Sequence, residues 1–403
     1  MFRIGYTVTT YVAQYILPVA ALISPKLKDF LHQRKHAKPP LKGPVKFWIH
    51  AASLGEYEMA LPLLAKLLPN GHLEDILITI FSPSGYTQAI KGKYASRLMY
   101  LPLDTAANVS QFYHDYAPQK AIFIRYDFWF HFINEGQKRG VEFYLVNGRF
   151  RPNHFVFAWH GKPYLQLFKR FKGIFTSDTK SAILLKDNGV AAAYLGDTRF
   201  DRVDAIAQTA KRYVDIEQFK GNRKLLMVGS SWEAEELLTV QLLARKLDNL
   251  AIVIAPHDLK RANEIAHKLH EFSPKKYTEG VFNASDQVLI LDTMGMLSSI
   301  YQYADFALIG GGFSGALHNI LEPAIWGCYL SFGPKISKFP EAQEFVDQGF
   351  AMVINSDETW VKQLSHLLSS PQEYAHLKQK ATDYCASQLG STARIVNLMS
   401  KPV

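Results

Sequence analysis

A glutamate three residues past a serine, in "HAASLGEYEMALPLL" (50–64), is where this sequence first places residue types that could do chemistry. Ser53, Gly55 and Glu56 fall at a predicted strand-to-helix turn. The positive end of the helix dipole favours the ionised carboxylate there and positions it to take a proton from a hydroxyl. An acid in a first helical turn is also common for stability alone. A second cluster lies in "FALIGGGFSGALHNILEPAIWGCYLSFGP" (306–334). Gly311 and Gly312 let the backbone approach a ligand, and free N–H groups at the start of the next helix bind anions. Asn319 and Glu322 stand three apart, so on a helix they share a face from which the carboxylate could accept hydrogen bonds from ribose hydroxyls. The alternative is a tight turn with a capping asparagine. Neither GxGxxG nor the Walker pattern is present. In "GSSWEAEE" (229–236), Ser230 and Ser231 precede an acidic helix start, where they cap the helix, hold a phosphate, or both. "APHDLKR" (255–261) carries His257, Lys260 and Arg261, suited to a base or a phosphate and equally to a solvated surface. No Asp-x-Asp motif and no metal-ligand spacing occurs, so neither a metal nor a cofactor is expected.

These turns need strands and helices to hold them. The 403 residues suffice for two ordinary domains. Hydrophobic content of 48% with 20% charged residues excludes a disordered or fibrous chain. Strand-like runs alternate with helix-like ones, from "VKFWIHAAS", "DILITIFS", "KAIFIRYDF", "EFYLVNG", "KGIFTSD" and "AAYLGD" to "LLMVGSSW", "LAIVIAP", "QVLILDT", "FALIGGG" and "CYLSFGP". That rhythm predicts two doubly wound, Rossmann-like α/β domains, with ligands bound at the carboxyl ends of their strands. The expected limits are 41–205 and 223–375, joined by a polar link at 206–222 and followed by a helical end at 376–403. Residues 1–40 form a separate, membrane-associated segment in this reading. Within it, 4–24 carry no charge and are followed by Lys26, Lys28, Arg34, Lys35 and Lys38, an arrangement that either attaches to a bilayer or packs on the protein. The excess of 45 Lys+Arg over 36 Asp+Glu favours anionic partners. Two cysteines exclude a disulfide framework and favour a reducing compartment. No basic helix with aromatic stacking partners marks a nucleic-acid binder.

Taken in order, "HAASLGEYEMALPLL", "LVNGRF", "YLGDTRFD", "GSSWEAEE", "DTMGMLSSIYQYADFALIGGGF" and "HNILEPAIWG" resemble the 3-deoxy-D-manno-octulosonic acid (Kdo) transferases of lipopolysaccharide assembly. The resemblance covers essentially the whole chain up to about residue 350. It implies a GT-B glycosyltransferase with two domains facing a cleft, the acceptor domain first and the nucleotide-sugar domain second, and a last helix that crosses back to the first. It also implies CMP-Kdo as donor, a lipid A precursor (lipid IVA) as acceptor, and the cytoplasmic face of the inner membrane as the place of work. By the same resemblance Glu56 is the general base of an inverting, metal-independent transfer. Ser230, Ser231, Glu233, Gly311, Gly312, Asn319 and Glu322 fall in the family's donor segments, with Ala234 replacing a glycine. Arg125 stands for an acid in "RYDFWF", where Asp127 and Trp129 keep the acid and the indole. His257 stands where an arginine is usual, so its contact must come from elsewhere, with Arg261 or Lys260 the candidates. Arg149 is the first candidate for the Kdo carboxylate or a lipid phosphate. Rival readings are a UDP-sugar GT-B enzyme and a non-catalytic binder of anionic lipid.

Overall fold

The structure, a computed structural model, describes residues 2–400. Two parallel sheets of seven strands organise it. The first takes β1 (Phe47–Ala51), β2 (Ile76–Ile80), β3 (Leu98–Tyr100), β4 (Lys120–Ile124), β5 (Glu142–Gly148), β6 (Gly173–Thr176) and β7 (Ala193–Tyr194), in the order β3-β2-β1-β4-β5-β6-β7. The second takes β8 (Lys224–Ser231), β9 (Leu250–Pro256), β10 (Lys275–Lys276), β11 (Val288–Ile290), β12 (Phe306–Ile309), β13 (Tyr329–Phe332) and β14 (Ala351–Val353), in the order β10-β11-β9-β8-β12-β13-β14. Each sheet is doubly wound, so the expected α/β class of GT-B type holds. The strand order reverses between β1 and β4 in one sheet and between β8 and β12 in the other, and such reversals open the crevices in which α/β proteins bind ligands.

The central strands read as unbroken apolar runs because both of their faces are covered. Trp48, Leu77, Ala121, Phe123 and Phe143 enter one core of the first sheet, and Ile49, Ile78, Ile122 and Tyr144 the other. Strands β3, β10 and β14 have only two or three residues, too short for a recognisable run, and the sequence pattern does not reveal them.

The chain divides into compact units at places other than those expected. One unit runs to Arg202 and resumes at Gly390, and the other is Val203–Leu389. The stretch 206–222 is no free link. It holds the end of the helix Thr198–Gln208 and the helix Val214–Lys220, whose Ile216 and Phe219 are fully buried in the second unit. The helical end also splits: Pro371–Gln388 belongs to the second unit, whereas Ser391–Ser400 packs Ile395, Val396 and Met399 into a core of the first.

Residues 2–40 are likewise part of the first unit. In the helix Phe2–Ala20, the rings of Phe2 and Tyr6 meet Phe130 and Tyr164, and the Tyr6 hydroxyl donates to Asp104 at 2.6 Å. After a bend of 111°, the helix Pro25–His36 sets Arg34 against the sheet, donating to the carbonyls of Leu101 and Phe81 at 2.7 and 2.9 Å. Its guanidinium lies over Phe30, Phe81 and Tyr100, and burial lowers its pKa to about 10. Among the described residues no single helix is long and apolar enough to cross a membrane.

Candidate functional site

Glu56 stands at the reversal point of the first sheet. The chain leaves β1 and turns at Ser53 into the helix Leu54–Leu67, because Ser53 caps that helix: its hydroxyl accepts the N–H of Glu56. In return Glu56 Oε2 accepts the N–H groups of Ala52 and Ser53 at 2.6 and 3.1 Å, completing a capping box. This stabilising role and a catalytic one coexist, since Oε1 makes no hydrogen bond among the described residues. Gly85 packs so tightly on this turn that a side chain there would strike Ser53 and Leu54. Gly55 is the opposite case, since a Cβ would meet nothing within 4 Å. The space before Gly55 is left open by the protein.

Across the reversal, the loop after β4 brings Asp127 to the same place. Asp127 Oδ2 lies 2.9 Å from His50 Nε2 and accepts the indole N–H of Trp129 at 2.9 Å. His50 is fully buried, and its Nδ1 is 2.9 Å from Thr79 Oγ1, which also accepts the N–H of Trp48 at 2.8 Å. An indole only donates, so Trp48 gives its N–H to Thr79, and the N–H of Trp129 is shared between Asp127 Oδ2 and His50 Nε2, 3.2 Å away. Burial and then the charge of Asp127 raise the pKa of Glu56, against the pull of His50 and the two backbone N–H groups. The result is a carboxylate with increased appetite for a proton. His50 was invisible as a site residue in the sequence, where its only signal is a polar side chain inside the apolar strand "FWIHA".

Two quoted motifs serve the scaffold. Asn147 of "LVNGRF" donates to Asp197 and Thr198 of "YLGDTRFD", and the Thr198 hydroxyl donates to the carbonyl of Met59 on the helix of Glu56. Arg149 is set against Asp178, 3.5 Å from its carboxylate, so its guanidinium already has an acidic partner inside the protein.

In the second unit the loops after β9, β8 and β12 converge at the other reversal point. Ser230 adopts the left-handed φ of 52° at an irregularity between β8 and β9, and Ser231 is fully buried with a hydroxyl that has no hydrogen-bond partner among the described residues. Glu235, also fully buried, ties two loops by accepting the N–H of Trp232 at 3.0 Å and that of Gly311 at 3.1 Å. It is Glu235, and not the exposed Glu233, that carries the structural weight of "WEAEE". The glycines answer to the protein's own backbone. A Cβ on Gly310 would overlap the Ser230 carbonyl, on Gly311 the Ala316 carbonyl, and on Gly312 the N–H of Gly333. The N–H groups of Ser314, Gly315 and Ala316 turn back to the Gly311 carbonyl. The anion-binding amides expected in this loop are therefore largely committed, and the tight-turn reading accounts for the glycines.

Asn319, two residues before the five-residue helix Leu321–Ile325, accepts the Leu321 N–H, and its amide donates to Glu322 Oε1 at 2.9 Å. The two side chains thus meet, with Asn319 just outside the helix. Arg261 does not replace the missing arginine, because Glu236 holds it through two hydrogen bonds of 2.7 and 3.1 Å. His257 instead stacks on Trp232, with ring centroids 4.4 Å apart and planes 16° from parallel. Among the described residues no group of acids, histidines and cysteines could hold a metal ion.

Residues 27–202 match the family model for 3-deoxy-D-manno-octulosonic-acid transferase (kdotransferase). A 3-deoxy-D-manno-octulosonic acid transferase of Chlamydophila psittaci is 25% identical over 86% of this chain and 82% of its own length. One from Haemophilus influenzae is 24% identical over 99% of this chain and 98% of its own. The chain is thus similar to Kdo transferases over most of its length. A bifunctional glycosyltransferase/methyltransferase of Fusobacterium nucleatum is also similar, at 24% identity, but this chain spans only 55% of its length. Among solved structures, the UDP-GlcNAc 2-epimerase of Neisseria meningitidis superposes with a TM-score of 0.62 at 14% identity, over 89% of this chain and all of that one. The corresponding epimerase of Methanocaldococcus jannaschii gives 0.54 at 12% identity, over 88% and 99%. At such identity these two speak for the fold alone. These matches indicate a glycosyltransferase, and the family match covers the Glu56 turn together with His50 and Asp127.

Proposed function

We propose that this glycosyltransferase transfers Kdo from CMP-Kdo to a lipid A precursor, with inversion, without a metal, and with Glu56 as general base. The observation that carries this reading is the position of Glu56 at the reversal point of the first sheet, next to the His50–Asp127 pair, in a chain similar to Kdo transferases. Glu56 Oε2 is fixed by backbone N–H groups, and Oε1 takes the proton from a primary hydroxyl of the phosphorylated disaccharide. That oxygen forms the new bond to the anomeric carbon of Kdo as the bond from that carbon to the phosphate oxygen breaks. CMP leaves with the bonding electron pair, and one phosphate is all that needs charge stabilisation, which Ser230, Ser231 and His257 can provide without a metal.

Attachment to the inner membrane, on its cytoplasmic face, belongs to the same proposal. Ile4, Val8, Val12, Tyr15, Ile16 and Val19 are exposed along one face of the first helix, continued by Leu22 and Ile23. At 3.6 residues per turn they fall within an arc of about 120°. The exposed Lys26, Lys28, Lys35 and Lys38 follow directly, a combination that favours an anionic bilayer surface.

The test is incubation with CMP-Kdo and a tetraacylated, bisphosphorylated lipid A precursor, with the lipid weighed by mass spectrometry. A mass gain of one or more Kdo units is expected for the native chain and none for Glu56→Ala. Displacement of a bound CMP ester by UDP but not by CMP would instead favour a UDP-sugar donor.

A further inference from the structure

Three rings from three loops gather at the reversal point of the second sheet. Trp232 follows β8, His257 follows β9, and His318 lies in the loop after β12. His257 stacks on the indole at 4.4 Å and stands 4.8 Å from His318, while its backbone N–H donates to the Ser231 carbonyl. The indole N–H of Trp232 donates to His318 Nε2 at 3.2 Å. Because that N–H can only donate, Nε2 must offer a lone pair, which holds His318 neutral with its proton on Nδ1. Burial and the neighbouring His257 lower the His318 pKa, in agreement. One exposed imidazole remains to carry charge in the cluster, and it lies over an indole face, where a cation is favoured.

Of the neighbouring charges, Arg261 is held by Glu236, and Asp258 accepts the backbone N–H of Lys260, whose ammonium stays exposed. Glu235, behind Trp232, is held by two backbone N–H groups. We propose that protonated His257, stacked on Trp232, is the cation that binds the donor's phosphodiester or carboxylate in this chain, so that donor affinity is switched by pH. This rests on the CMP-sugar reading given above. The group is set for it by position: its backbone N–H is tied to the Ser231 carbonyl, at the edge where this class of sheet binds ligands.

The probe is the methyl phosphodiester of CMP, whose single negative charge does not change between pH 6 and 8, measured by calorimetry on the full chain. A protonated imidazole sets one positive charge against the ester's single negative one, so affinity should rise on the order of tenfold as pH falls from 8 to 6. His257→Arg should bind with the low-pH affinity throughout, and His257→Gln with the high-pH affinity throughout. In turnover assays the native dependence should appear in the KM for CMP-Kdo, since kcat follows Glu56. Unchanged affinity across this range, or a dependence kept by His257→Gln, overturns the assignment while leaving the donor reading intact. No binding of the ester at any pH, with the chain folded, overturns the donor reading and this inference with it.

Discussion

Glu56 shows how one side chain can stabilise a turn and still be available for chemistry. Its carboxylate is needed by the capping box, yet burial and Asp127 make its ionised form costly. The sign of that cost gives a prediction. A carboxyl whose pKa is raised on folding favours the protonated fold, so at neutral pH its ionisation reduces stability, and the deficit vanishes as pH falls below the ordinary carboxylate range. Glu56→Gln resembles the protonated form and can still accept the two backbone N–H groups. Its thermal midpoint at pH 7.5 should therefore not fall below that of the native chain, any advantage should disappear near pH 4, and turnover should drop by at least about 10²-fold. Differential scanning fluorimetry beside the mass assay reads both. Asp127→Asn removes a neighbouring negative charge, lowers the proton affinity of Glu56, and should move the acid limb of the kcat profile to lower pH. An acid limb that stays in place, or moves up, would remove Asp127 from this role.

The turns that carry these residues are built differently, and their glycines expose the difference. Gly55 faces open space, so Gly55→Ala should fold and gain up to about 0.5 kcal/mol from helix propensity, yet lose activity if the acceptor occupies that space. Gly312→Ala would drive a methyl into the backbone of Gly333, and should cost on the order of 1–3 kcal/mol by chemical denaturation whatever the ligand. Sequence alone presents both as glycines beside a site. What separates them is whether the near neighbour is a distant part of the same chain, a fact of packing that no local pattern carries.

The chain closes on itself at both ends. Ser391–Ser400 buries Ile395, Val396 and Met399 in the first unit, and Lys120 donates to the Met399 carbonyl at 2.8 Å. Ending the chain at Leu389 should therefore destabilise the first unit by on the order of 3–5 kcal/mol, read as an earlier transition in a denaturant titration, while binding of a CMP ester by the second unit persists. At the other end, the helix Phe2–Ala20 is fixed by Phe2 and Tyr6, so its apolar face is presented by a supported element. Replacing Ile4, Val8, Ile16 and Val19 together by serine should abolish sedimentation with vesicles containing anionic lipid and leave CMP-ester binding unchanged. Equal sedimentation of the variant would reject this face as the membrane contact.

The sequence by itself determined the α/β class, most of the strands, the Glu56 turn and the likeness to Kdo transferases, because parallel strands leave long apolar runs and turn residues sit next to one another in the chain. It did not determine which acids and rings meet. His50 and Asp127 are 77 residues apart, and Trp232 and His318 are 86 apart, joined only by the strand order that sets β1 beside β4 and β8 beside β12. Nor could it tell that 206–222 is built into the second unit or that Arg261 is already held by Glu236, because burial and pairing across loops leave no local periodicity. Tertiary structure decided those points by choosing each side chain's neighbours, and through them its charge and its freedom to act.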